Sequence, residues 1–293
     1  MFNQNLKEKY PFLTDYFEEC IKNPSRNTSH SILFYGQNIS TQYSLATEIA
    51  RLLNCSEFQN ETCRCVNCNW VKNKQHPAIL TISKIDNKPS DDESKTVISV
   101  KQSQMIKSLL MNTSDYHRVF IFCDAEMNGE NWIPKGLNQT NFQEETANSL
   151  LKIIEEPPAN TTFFFLTRDK NDLIETIISR SQSFFVPSYD EKIGDYSQIE
   201  EFLADYPNLE RKTCLELAQS LFNLSKEQGS DKILSEIQNY LLALLKSNLR
   251  NKHLQSKILS DIKSAELAKQ QIENHILPQL VFEGMYLNFT KVD

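Results

Sequence analysis

Glycine is scarce in this chain, with six among 293 residues. A chain so poor in glycine has little backbone free to approach a phosphate closely, so a glycine-rich phosphate cradle is not expected. Long apolar runs are lacking too. Nowhere do about 18 consecutive apolar residues occur, which excludes a membrane-spanning helix by pattern. The opening residues, Met1-Phe2-Asn3-Gln4-Asn5-Leu6-Lys7-Glu8, carry no apolar stretch of signal-peptide length. The expectation is a soluble, cytoplasmic protein with no membrane partner. Positive charge is not in excess: 38 acidic residues face 31 basic ones, for a net charge of -7. That balance disfavours a free-standing nucleic-acid binder, whose affinity comes from neutralising phosphates. Any DNA contact is then local or shared with other subunits.

Cysteine is better represented, with seven residues. Without an export signal they read as thiols or metal ligands, because the cytoplasm keeps thiols reduced. Cys20, Cys123 and Cys214 are scattered and read as ordinary buried residues. The others follow the spacing Cys55-x7-Cys63-x-Cys65-x2-Cys68 directly after a helical pattern. Thiolates at such short range suit a closed, tetrahedral, structural zinc site with no open position for water. Arg64, Lys72 and Lys74 are placed to offset its negative charge. The alternatives are free thiols on a loop, or His76 in place of one ligand.

Short runs rich in β-branched and aromatic residues read as buried strands: Ser31 to Tyr35, Ala78 to Ile85, Val119 to Cys123, Thr162 to Leu166 and Phe184 to Val186. Helical periods alternate with them at Thr41 to Leu53, Ser103 to Met111, Thr146 to Glu155 and Asn171 to Ile178. Strands alternating with helices imply a parallel α/β sheet over residues 1–187. After a polar stretch at 188–197, only helical periods remain, at Cys214 to Leu224, Ile233 to Leu249 and Ala265 to Leu287. The second half, 198–293, is therefore expected to be all-helical. Its face of Ile233, Ile237, Leu241, Leu244 and Leu245 serves either as bundle core or as subunit contact. Asp86 to Lys95 and Met127 to Glu145 read as surface loops.

The strand Ser31 to Tyr35 runs into Gly36-Gln37-Asn38-Ile39-Ser40-Thr41-Gln42-Tyr43 and then a helix, the context of a phosphate-binding loop. A working loop needs glycine, lysine and a small hydroxyl residue where Thr41, Gln42 and Tyr43 stand. The strand Val119 to Cys123 ends in Asp124-Ala125-Glu126. Asp124 takes the place of a magnesium carboxylate, but Ala125 replaces the water-activating acid, and Glu126 is expected to point elsewhere along a turn. The site has the shape of a nucleotide site without its chemistry, and no bound ATP is expected.

The run Ala147-Asn148-Ser149-Leu150-Leu151-Lys152-Ile153-Ile154-Glu155-Glu156-Pro157-Pro158 resembles a signature of bacterial clamp-loader ATPases and their delta-prime relatives, in the AAA+ family. Phe163 to Arg168 resembles that family's strand and sensor region, and Ile178-Ser179-Arg180-Ser181 resembles its serine-arginine-cysteine motif, with Ser181 in place of cysteine. The family also carries a cysteine module at this place, although the single residue between Cys63 and Cys65 departs from its usual spacing. His76-Pro77 and Val100-Lys101-Gln102 are further family-like residues. The resemblance implies an AAA+ type sheet with a zinc insert, a linker or reduced lid at 188–197, and a helical collar for oligomerisation. It implies that Arg180, flanked by partner-contacting Ser179 and Ser181, reaches the ATP of an adjacent subunit. The implied partners are the motor subunits and the delta subunit, with the sliding clamp and primed DNA engaged through the assembly. Glu155 and Glu156 are not an acid-base pair, because sequence neighbours do not share a helix face; a structural or intersubunit contact fits them better. The competing readings are an active motor subunit of the same loader, or a stand-alone zinc-dependent nucleic-acid-binding protein.

Overall fold

The computed structural model describes residues 1–23, 29–57, 62–89, 98–141, 144–189, 197–210 and 214–291. The chain divides into two compact units, Met1–Val186 and Pro187–Asp293. Among the described residues no helix is long and apolar enough to cross a membrane.

In the first unit, α1 (Gln4–Lys9) and α2 (Pro11–Lys22) precede β1 (Ser31–Tyr35), α3 (Ile39–Asn54), α4 (Val66–Lys72), β2 (Ile79–Ile82) and α5 (Val100–Met111). Then come β3 (Arg118–Phe122), β4 (Asp124–Asn128), β5 (Asn131–Lys135), α6 (Glu144–Glu155), β6 (Thr161–Thr167), α7 (Glu175–Ile178) and β7 (Gln182–Phe185). Five of the strands form one sheet in the order β2-β3-β6-β1-β7, and every pairing in it is parallel. The central strand β6 is buried along its whole length, as expected where helices cover both faces of a parallel sheet. Its phenylalanines stack on those of β3: the Phe122 and Phe165 rings lie 4.8 Å apart at 7°, and Phe120 and Phe163 lie 5.6 Å apart. Such pairs add about 0.5–1.5 kcal/mol each beyond area burial.

Local chemistry sets the helix ends. Ser99 and Gln102 form a capping box at the start of α5, and Gln102 also donates to the Ser83 carbonyl at 2.8 Å. The pair Pro157-Pro158 stops α6, since proline lacks the N–H that would extend it. Expectations for two segments of this unit need correction. The segment Met127 to Glu145 is not a plain loop: with Asp124 to Met127 it builds an antiparallel hairpin, Asp124 facing Lys135 and Asn128 facing Asn131. Gly129, at φ +62, takes the left-handed turn position between the two strands. Asn171 to Ile178 is not one helix but a short 3-10 turn, Lys170–Asp172, followed by α7. Residues 90–95 of the other loop lie outside the described residues, as do 142–143.

The second unit holds α8 (Ser197–Phe202), α9 (Cys214–Gln228), α10 (Ser230–Ser247), α11 (Lys252–Glu273) and α12 (Pro278–Phe289). The period seen at Ala265 to Leu287 is therefore broken in two: His275 turns left-handed at φ 62, and Pro278 starts a new helix. Ile233, Ile237, Leu241 and Leu245 are buried core, with Leu244 half-buried beside them. Buried acids are paired here. Asp261 takes Lys257 at 2.7 Å and the Tyr206 hydroxyl at 2.8 Å, and Glu266 accepts from Ser188 N–H at 2.8 Å and Gln238 Nε2 at 3.0 Å. Residues 190–196 of the expected linker lie outside the described residues.

Candidate functional site

The carboxyl ends of β1, β3 and β6 carry the residues singled out in the sequence, because a parallel sheet gathers the loops after its strands at one edge. At the end of β1, Gly36 sits at φ +141, and a Cβ there would stand 2.2 Å from the Val186 carbonyl oxygen. Only glycine fits that approach. Asn38 caps α3 by accepting from Thr41 N–H at 3.0 Å. Gln42, where a phosphate-binding lysine would stand, is fully buried. Its Nε2 donates to the Gly36 carbonyl at 2.8 Å and to the Thr167 carbonyl at 3.0 Å. The side chain thus ties the loop shut against the end of β6 instead of projecting toward a phosphate.

Tyr43, where a magnesium-binding hydroxyl residue would stand, bonds the Thr81 hydroxyl at 2.8 Å. Its ring lies 4.8 Å from that of Trp132 in the hairpin, and burial pushes its phenol above the ordinary range. Trp132 Nε1 donates to Asp86 at 2.8 Å. No local sequence pattern announces this packing, since it depends on the hairpin of β4 and β5. Asp124 is also engaged: Lys84 Nζ lies 3.1 Å from its carboxylate, and Ala125 N–H donates to it at 2.7 Å. Glu126 lies in a strand rather than a turn and pairs with Lys135 at 2.8 Å. Of the residues singled out for a nucleotide site, the Gln42 amide nitrogen, the Tyr43 hydroxyl and the Asp124 carboxylate are engaged with the scaffold instead.

Arg180 lies on the turn between α7 and β7 with a half-exposed side chain. Its Nε donates to Glu155 at 2.7 Å, with Nη2 at 2.5 Å from the same oxygen, and its Nη1 donates to the Thr176 carbonyl at 3.1 Å. Ser179 donates to Thr176 O at 3.2 Å. The Ser181 hydroxyl lies 2.6 Å from that of Ser31 in β1. The partner of Arg180 is thus Glu155, from the end of α6, a pairing that no local pattern in the sequence announces.

The cysteine cluster forms as expected from its spacing. The sulfurs of Cys55, Cys63, Cys65 and Cys68 all lie within 4.8 Å of one another, with Cys55 and Cys63 at 3.7 Å. Sulfurs held tetrahedrally at a zinc–sulfur distance of about 2.3 Å are separated by about 3.8 Å, so the donor set suits a closed four-sulfur site. His76 stands outside this group, in edge contact with the rings of Trp70 and Tyr116. The cation at the cluster is Arg51, which donates to Cys68 at 3.3 Å while paired with Glu48 at 2.8 Å. Arg51 is not among the cations that the cysteine spacing points to, although its place in the last turn of α3, before Cys55, is a usable signal; Lys74 instead sits over the Trp132 ring. Burial raises the Cys65 thiol, but hydrogen bonds from Cys68 N–H and from Ser56 outweigh it and bring the group down to about 6. Burial pushes Cys68 up against the pull of Arg51.

Residues 11–189 match the family described as DNA polymerase III, delta subunit, a stretch that takes in the closed loop, the cysteine cluster and Arg180. DNA polymerase III subunit delta' of Bacillus subtilis (strain 168) is 28% identical over 171 residues, 57% of this chain and 45% of that protein. DNA polymerase III subunit delta' of Escherichia coli (strain K12) is 24% identical over 182 residues, 60% of this chain and 48% of that protein. DNA polymerase III subunit gamma/tau of Mycoplasma pneumoniae is 27% identical over 157 residues, 53% of this chain and 20% of that protein. The chain thus spans about half the length of its delta' relatives and less of the third. Because the family match covers more than half of the 293 residues, the chain belongs to the DNA polymerase III delta subunit family and is delta-prime-like.

Proposed function

We propose that this chain is a non-hydrolysing clamp-loader subunit that presents Arg180 to ATP held by a neighbouring motor subunit, and so supports placement of the sliding clamp on primed DNA. The observation that carries the reading is Gln42. A buried amide bonded to Gly36 and Thr167 carbonyls stands where the phosphate lysine of an active ATPase would be, and Asp124 is neutralised by Lys84. Such a chain contributes to hydrolysis only by what it offers a neighbour. An exposed guanidinium suits that task, since it stays charged and can grip phosphoryl oxygens as charge develops on them.

In this reading residues 1–187 form the AAA+-like domain, 188–197 the linker or reduced lid, and 198–293 the collar that joins sister subunits, including delta, in a cytoplasmic DNA polymerase III holoenzyme. Ile276, Leu277 and Leu280, exposed apolar side chains at the start of α12, support a contact role for the collar. Ser179 and Ser181 flank the arginine at the intersubunit face. Cys55, Cys63, Cys65 and Cys68 would hold a structural zinc ion, which ties the segment after α3 to α4 and performs no chemistry.

The test is DNA- and clamp-stimulated ATP hydrolysis by the partner motor subunits, with this chain as wild type or Arg180→Ala. The wild type alone should be inert and should restore turnover in the assembly. The variant should assemble but lose turnover by about 10³-fold or more. Hydrolysis by the isolated chain, or full turnover with the variant, would defeat the proposal.

A further inference from the structure

We infer that Glu155 is the positioning residue for Arg180, holding the guanidinium so that its far edge faces outward for a phosphate in trans; this rests on the reading of Arg180 as the donated arginine. The backbone under Arg180 is already fixed. Ser179 N–H bonds Glu175 O at 2.9 Å, Arg180 N–H bonds Ile177 O at 3.2 Å, and Ser181 N–H bonds Ile178 O at 3.3 Å. The Ser181 hydroxyl meets Ser31 in β1. The long side chain beyond this turn remains free to rotate unless something holds it, and an unheld arginine loses rotamer freedom on binding.

Glu155 supplies the hold. One carboxylate oxygen takes both Nε and Nη2, at 2.7 and 2.5 Å, which fixes the plane of the guanidinium. Nη1 directs one N–H to the Thr176 carbonyl at 3.1 Å. What remains is the end of the guanidinium formed by Nη1 and Nη2, next to the side that Glu155 holds. The outer N–H of Nη2 has no partner among the described residues, and the other N–H of Nη1 has only a 3.4 Å contact to Ser179 Oγ. Two adjacent N–H groups in one plane are the arrangement that grips a phosphate bidentately. Arg180 and Glu155 line an open cavity of about 670 Å³ with His30, Ser31 and Gln182.

The position of Glu155 supports the inference. It is the last residue of α6, where the helix dipole disfavours an acid, and Arg180 offsets that cost. Glu156 beside it is exposed and forms no ion pair among the described residues. The pair is too exposed for its loss to threaten the fold, so a substitution at Glu155 reads out on function.

The experiment assembles the loader from motor subunits and the full chain as wild type, Glu155→Gln, Glu156→Gln, Arg180→Ala, and Glu155→Gln with Arg180→Ala. It measures kcat and KM for ATP with DNA and clamp present. Glu155→Gln should lower kcat roughly 10- to 100-fold, the scale of a misplaced group, with KM unchanged. Glu156→Gln should match the wild type, and the double variant should be no worse than Arg180→Ala alone. Positioning is overturned if Glu155→Gln leaves kcat unchanged or raises it, if Glu156→Gln costs as much, or if Glu155→Gln costs the same factor in the Arg180→Ala background. In each of those cases a loss with Arg180→Ala alone leaves the donor reading standing. Wild-type turnover with Arg180→Ala overturns the donor reading and the positioning role with it.

Discussion

Gln42 is the residue at which a closed loop and a working one part company, and its contribution to stability can be worked from its contacts. The side chain is fully buried and donates to the Gly36 and Thr167 carbonyls. Thr167 O keeps a second donor, Gly36 N–H at 3.2 Å, so removing the amide strands chiefly the Gly36 carbonyl. A buried acceptor left without a partner costs about 1–3 kcal/mol. Gln42 Oε1 has no partner among the described residues, so replacing the whole amide also relieves a penalty. Gln42→Met, which keeps the length, should therefore cost only about 1–2 kcal/mol. Gln42→Ala adds an unfilled volume and should cost about 3–5 kcal/mol in all. Urea unfolding followed by tryptophan fluorescence reads this directly, because Trp70 and Trp132 both lie in the first unit. The midpoints should fall in the order wild type, Met, Ala, at unchanged slope. If Gln42→Ala unfolds within about 0.5 kcal/mol of the wild type, as a surface substitution would, the side chain is no tether and the account of the closed loop fails.

Two further outcomes are expected. Elemental analysis should find one zinc per chain; Cys65→Ser should abolish it and lower the unfolding temperature, whereas metal well below one equivalent with unchanged stability in Cys65→Ser would rule the site out. His117 donates or accepts at Thr162 Oγ1 at 2.8 Å, and burial, aided by nearby His30, lowers its pKa to about 4. The unfolded chain then takes up this proton first, so stability is fully present above the unfolded value near 6.5 and is lost as the pH falls from there toward 4. The loss is at most about 3 kcal/mol, and less for the partial exposure of the ring. Equilibrium unfolding across that window should show His117→Gln with a flatter profile than the wild type; identical slopes would contradict the assignment.

The sequence by itself determined the parallel sheet, because buried strands such as Thr161–Thr167 are written as short runs of adjoining β-branched and aromatic residues. It also determined the cysteine cluster, whose ligands lie so close along the chain that spacing nearly dictates proximity. The absence of a phosphate lysine was legible in the single residue Gln42. What Gln42 does instead was decided only by the tertiary structure, since Thr167 reaches it through the pairing of β1 with β6. The hairpin was hidden because Asp124–Asn128 and Asn131–Lys135 are mostly half-buried or exposed and lack a clear alternation of apolar and polar residues. Arg51 is marked in the sequence only by its place just before Cys55, and Glu155 at Arg180 by nothing local. A charged side chain in the last turn of a helix, whether buried like Arg51 or exposed like Glu155, carries no pattern that names its partner; the partner is chosen by which elements the fold brings side by side.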